Sequence, residues 1–136
     1  MRRLYVIMGK SGSGKDSVFK ELQNRFPKND CITINTLEGY CLIKKYIENE
    51  NIEIVPIYIY CSNFNRLFRS LLKEKDNPNP NCSEICRRYL SDEDDFSEDK
   101  LNNLNIMDKD KFCNDYTLEE VMLQIILCHP ELFDNN

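Results

Sequence analysis

The stretch Gly9-Lys10-Ser11-Gly12-Ser13-Gly14-Lys15-Asp16 decides how this chain is read. It satisfies the spacing G-x-x-x-x-G-K and departs at the next position, where Asp16 stands in place of the usual Ser or Thr. Glycines let a backbone wrap an anion without Cβ clashes. The amides of Gly12 to Lys15 then point inward, and the following helix adds its positive end. Lys15 is placed to reach the β- and γ-phosphates of a nucleotide, with Gly9, Lys10, Ser11, Ser13 and Ser17 completing the cradle. Asp16 has two readings. It is either a carboxylate ligand to Mg²⁺, direct or through water, or a complement to the helix N-terminus.

Working outward, Leu4–Met8 is an apolar run closed by glycine and reads as a buried strand. After the loop, Val18, Leu22 and Phe26 share one face of a helix that Pro27 ends. Cys31–Asn35 reads as a second strand, and Thr36–Glu50 as a helix with Tyr40, Ile43 and Ile47 on one stripe. Ile54–Tyr60 is nearly continuous in apolar residues, which argues for a central strand, with Pro56 as the objection. Asn63–Lys75 follows as a helix with Phe64, Leu67, Phe68, Leu71 and Leu72 at helical spacing. Pro78 and Pro80 make the next stretch a loop, and Asn81 with Glu84 forms a capping box for a helix to about Leu90. A last strand near Lys111–Asn114 leads to a helix capped by Thr117 and Glu120, with Leu118, Val121, Met122, Ile125 and Ile126 inward. Alternating strands and helices specify α/β architecture: a parallel sheet covered on both faces, three layers deep. With the glycine-rich loop after the first strand, the fold expected is that of a P-loop NTPase, one domain over residues 1–136.

At 136 residues the chain builds one core. Its net charge of −5 argues against a nucleic-acid polymer as partner, so a phosphate site must be a local cationic pocket. No apolar run approaches the roughly 18 residues of a membrane helix, and the run before Gly9 is too short for a secretory leader. No membrane partner and a cytoplasmic address are expected; association with further copies of the chain is left open. The seven cysteines are odd in number and irregular in spacing, and Cys82-x-x-x-Cys86 lacks zinc-site spacing with His129 far away. They read as reduced, mostly buried thiols. Asp92-Glu93-Asp94-Asp95 point several ways around a helix and read as a solvated face. Tyr40, Tyr46, Tyr58 and Tyr60 read as packing rings.

Three segments together resemble guanylate kinase, a P-loop nucleoside monophosphate kinase, in the form found in low-GC Gram-positive bacteria. They are Ile7–Leu22 (IMGKSGSGKDSVFKEL), Thr33–Tyr40 with Val55–Tyr60 (TINTLEGY, VPIYIY), and Cys86–Leu101 (CRRYLSDEDDFSEDKL), in the family's order. The resemblance implies ATP and Mg²⁺ as cofactors and a lid over about residues 73–90. It also implies phosphate-facing cations on the helices before and after that lid, and GMP as acceptor. Arg88 matches the second cation, and Lys73 stands where the family has arginine, a point charge without the bidentate fork. Arg66 and Arg69 fall near the same face as Lys73. The family's monophosphate-binding segment has no counterpart: Phe26 is followed almost at once by the strand at Cys31, and no arginine occurs between Arg25 and Arg66. Asn35 and Glu38 are the nearest things to a strand-end acid for the Mg²⁺ shell.

Two functions follow. One is a nucleotide kinase that moves the γ-phosphoryl of ATP to a nucleoside monophosphate, with Lys15, Arg88 and Lys73 around the transferring group. The other is a non-catalytic nucleotide-binding protein, a sensor or interaction module, that has lost its acceptor site. A regulatory GTPase is disfavoured because no Asn-Lys-x-Asp motif occurs.

Overall fold

Parallel pairing orders the molecule. In the computed structural model, which describes residues 2–29 and 31–135, β1 (Arg2–Gly9) lies between β2 (Ile32–Ile34) and β3 (Ile52–Tyr60). The last strand, β4 (Lys111–Cys113), flanks β3, so the sheet runs β2-β1-β3-β4 with every pair parallel. Met1, Asp30 and Asn136 lie outside the described residues. Pro56 is accommodated because β4 joins β3 only from Tyr58 onward, leaving that edge of β3 unpaired at the proline.

Side chains alternate across the sheet and build two cores, one on each face, where length alone implied one. Tyr5, Ile7, Ile57, Ile59 and Phe112 face α1 (Lys15–Arg25) and α6 (Leu118–Cys128), meeting Val18, Leu22, Val121, Met122 and Ile125. Val6, Met8 and Tyr58 face the other way, against Leu37 and Tyr40 of α2 (Leu37–Tyr46) and Leu101 of α5 (Glu98–Asn103). The result is a parallel α/β sheet with helices on both faces, as the alternation in the sequence implies.

Several expectations need correction. The helix expected to reach Glu50 ends at Tyr46, with Thr36 outside it as N-cap. The helix expected to end near Leu90, α4 (Cys82–Asp95), continues to Asp95, and α5 and a 3-10 turn (Asp108–Asp110) fill the stretch before β4. No apolar stripe marks Ser91–Asp95, so periodicity is silent there. Phe96, Leu101 and Ile106 instead enter the second core one at a time. In α3 (Asn63–Lys75) the apolar stripe faces out: Phe64, Phe68 and Leu72 are exposed and the only buried residue is Arg66. Asn81 and Thr117 do accept from the amides of Glu84 and Glu120, but Glu84 turns its carboxylate to Arg87, leaving half a capping box. The cysteines are all free, yet only Cys61 is buried and Cys82, Cys86 and Cys128 are exposed. Tyr40 and Tyr58 pack as expected, whereas Tyr46 and Tyr60 are exposed. Among the described residues no helix is long and apolar enough to cross a membrane.

Candidate functional site

From β1 the chain turns toward β2, and from β3 toward β4, so the connections diverge between two neighbouring strands. Such a divergence opens a crevice at the carboxyl ends of a parallel sheet. The loop of residues 10–14 leaves β1 there, and Cys61 leaves β3 beside it, its Sγ 3.7 Å from the Gly12 carbonyl oxygen. Burial raises the Cys61 thiol above its ordinary value, so it stays protonated at neutral pH.

The loop is shaped for its turn. Gly12 (φ 81°) and Gly14 (φ 88°) occupy the left-handed region, and a Cβ would strike the Arg66 carbonyl at Gly12 and the Asn114 amide at Gly14. Ser13 N–H donates to the Lys10 carbonyl (3.1 Å), closing the turn instead of pointing inward as expected, and Asn114 Nδ2, just after β4, donates to the Ser13 carbonyl (2.9 Å) and pins it. Gly14 then starts α1 with no side-chain cap. The other α-helices are each capped by a side chain: Thr36, Ser62, Asn81, Ser97 or Thr117. The first amides of α1 are therefore left for water or an anion. Close by, Asp115 accepts from the Ser62 amide (2.6 Å), and that backbone hydrogen bond holds its carboxyl below the ordinary carboxylate value.

In front of those amides lies a cleft of about 810 Å³. Ser11, Gly12, Gly14, Lys15, Asp16 and Ser17 form one wall, and Arg69, Lys73 and Arg88 line the opposite side from α3 and α4. Lys15, Lys73 and Arg88, distant in sequence, thus converge on one space. The Nη2 of Arg69 donates to the Asn114 carbonyl (2.7 Å), while its Nη1 is buried without a partner. The chain matches no protein-family model and no curated protein. Of the other residues read from the sequence, Lys10 and Ser13 face a second cavity across the loop, and Gly9 is buried at the end of β1. Glu38 is exposed on α2 and lines neither space; the Asn35 Oδ1 accepts from the Thr36 amide. Among the described residues no three His, Cys, Asp or Glu gather as a metal cage. Asp16, exposed beside the loop, is the carboxylate that would hold Mg²⁺, with Glu74 and Asp76 lining the cleft from the end of α3; such a site suits an ion that keeps its waters and takes phosphate oxygens.

The acidic run corrects the sequence reading most sharply. Asp94 and Asp95 are exposed, but the Asp92 Oδ2 accepts from the Ser11 amide (2.7 Å) and Glu93 pairs with Lys10 Nζ (3.0 Å) and Arg66 Nη2. Arg66 is 2% exposed, and its guanidinium lies 3.9 Å from the centre of the Tyr89 ring. The last turns of α4 are thereby tied to the glycine-rich loop. A run of acids next to a loop bearing Lys10 carried that signal only through charge complementarity, which spacing along one helix does not show.

Proposed function

We propose that the chain is a P-loop NTPase-fold nucleotide kinase of guanylate-kinase type. It binds ATP with its phosphates in the cleft and passes the γ-phosphoryl to a nucleoside monophosphate, GMP by the resemblance. The observation that carries this reading is the convergence of Lys15, Arg69, Lys73 and Arg88 on the uncapped N-terminus of α1. An uncapped helix end supplies amides and a positive potential, and the cations supply charge-assisted hydrogen bonds to phosphate oxygens. Arg88 and Lys73 come from the two helices flanking the Asp76–Asn81 turn, so movement of that hairpin would close them over a bound triphosphate. In the transfer, an acceptor phosphate oxygen bonds to the γ-phosphorus. The bond from that phosphorus to the β–γ bridging oxygen breaks, and its electron pair leaves with ADP. Asp16 would hold Mg²⁺ through water, and the ion, when bound, offsets phosphate charge. A cytoplasmic address, where ATP and reduced thiols coexist, belongs to the same reading.

A second reading, a nucleotide-binding protein without turnover, is favoured by the contacts of Asp92 and Glu93, which put carboxylates on the loop itself. The two separate on ADP formation from Mg-ATP across a panel of nucleoside monophosphates, with Lys15→Ala as control. Turnover with one monophosphate, lost in the variant, supports the kinase. A flat panel at high enzyme concentration leaves the binding protein.

A further inference from the structure

Across the glycine-rich loop from the cleft is a second cavity of about 550 Å³, within the range of about 300–1,000 Å³ usual for small-molecule sites. Lys10 and Ser13 face this cavity, while Ser11, Gly12, Gly14 and Lys15 face the cleft. One strip of backbone therefore separates the two spaces, and an occupant of one neighbours the phosphate end of an occupant of the other.

The walls of the cavity combine rings, cations and carboxylates: Glu93 pairs with Lys10 and Arg66, and Glu98 and Asp108 pair with Lys111. Tyr58, Tyr60 and Phe96 supply apolar faces, and Tyr60 is open to the space at 42% exposure. Lys111 keeps only 13% of its side chain exposed. Arg66 is the telling residue. It spends Nη2 on Glu93, yet Nε and Nη1 are buried with no hydrogen-bond partner. A buried guanidinium donor without an acceptor is costly, and an anionic ligand oxygen relieves the cost.

We infer that this cavity holds the phosphoryl acceptor, a nucleoside 5′-monophosphate, with its phosphate toward Lys10 and Arg66 and its base against Tyr60. The inference rests on the kinase reading above and gives it the acceptor site that the chain's short connection from α1 to β2 cannot supply. Tyr60 stacks on any planar base, and Glu98 and Asp108 at the rim, each with one carboxylate oxygen on Lys111, keep the other oxygen for base N–H groups. The acceptor's dianionic phosphate contributes the oxygen that bonds to the γ-phosphorus. As that bond forms, the γ-phosphorus parts from the β–γ bridging oxygen, and ADP carries off the electron pair, with no proton needed.

The test is direct binding of GMP, AMP and CMP to the full chain by calorimetry, with and without a non-hydrolysable ATP analogue. Ribose 5-phosphate serves as the ringless probe. One or more monophosphates bind alongside the analogue, and Tyr60→Ala weakens them about tenfold, the loss of one stacking partner. Lys111→Gln weakens them as well, whereas Lys15→Ala leaves them bound, and ribose 5-phosphate is indifferent to Tyr60→Ala. Displacement of the monophosphate by the ATP analogue overturns the inference, as does insensitivity to both cavity variants or no binding at millimolar concentration. Binding as expected without ADP formation keeps the cavity assignment and removes the kinase reading. Turnover unaffected by the cavity variants does the reverse.

Discussion

Glu93→Gln tests how the glycine-rich loop and α4 are joined. Among the described residues Glu93 is the one acid hydrogen-bonded to Arg66, whose side chain is 2% exposed, and it also pairs with Lys10. Removing the counter-charge of a fully buried pair costs about 3–5 kcal/mol, because the remaining ion stays desolvated. Glu93 itself is 39% exposed, so water screens part of that loss, and glutamine keeps an oxygen to accept from Nη2. The expected destabilisation is about 2 kcal/mol, a large share of a typical total of about 5–15 kcal/mol. Urea unfolding followed by far-UV circular dichroism reads it as a lower midpoint at unchanged slope. Arg66→Met removes the buried charge while filling the space of its stem, and leaves Glu93 with Lys10. The double variant should then be less destabilised than the sum of the singles, a coupling of about 1–2 kcal/mol. A midpoint for Glu93→Gln indistinguishable from wild type would refute the reasoning.

Two further outcomes follow from the same geometry. Asp92→Asn removes a negative charge that sits on the Ser11 amide, so Mg-ATP should bind about threefold tighter at low salt, with the gain shrinking as salt rises; weaker binding in calorimetry contradicts this. Burial holds the phenols of Tyr5 and Tyr40 up to about 12, Tyr5 with help from Glu131 and Tyr40 from Asp110. Folding favours the protonated phenol, so this contribution is complete below the ordinary value of 10 and is lost as pH rises through about 12. Phenolate absorbance should show these rings ionising only as the fold is lost; all tyrosines titrating near 10 with the circular dichroism unchanged would count against it.

What the sequence made legible has a physical pattern. The glycine-rich loop was readable because its conformation admits few residues: Gly12 and Gly14 sit where a Cβ has no room. The strands were readable because a parallel sheet buried on both faces demands continuous apolar runs such as Tyr5–Met8 and Ile57–Ile59. The orientation of α3 was not. Phe64, Phe68 and Leu72 share a stripe, and spacing identifies a stripe without saying whether it faces the core. Here it faces solvent, because Arg66, Arg69 and Lys73 turn toward the two cavities. Asp92 and Glu93 were hidden for a related reason, since their partners Ser11 and Lys10 lie on the far side of the chain in sequence. The second cavity draws on β3, β4 and α4, and no local spacing joins Lys10 to Tyr60 and Lys111.

The uncapped start of α1 and the converging cations are expected to bind a triphosphate. Calorimetric titration of Mg-ATP into wild type and into Lys15→Ala, with circular dichroism to confirm that both are folded, tests it most directly. One site in the wild type and at least about tenfold weaker binding in the variant are expected, the loss of one charge-assisted contact to phosphate. Absence of Mg-ATP binding to the wild type, or equal affinity in the folded variant, would contradict it.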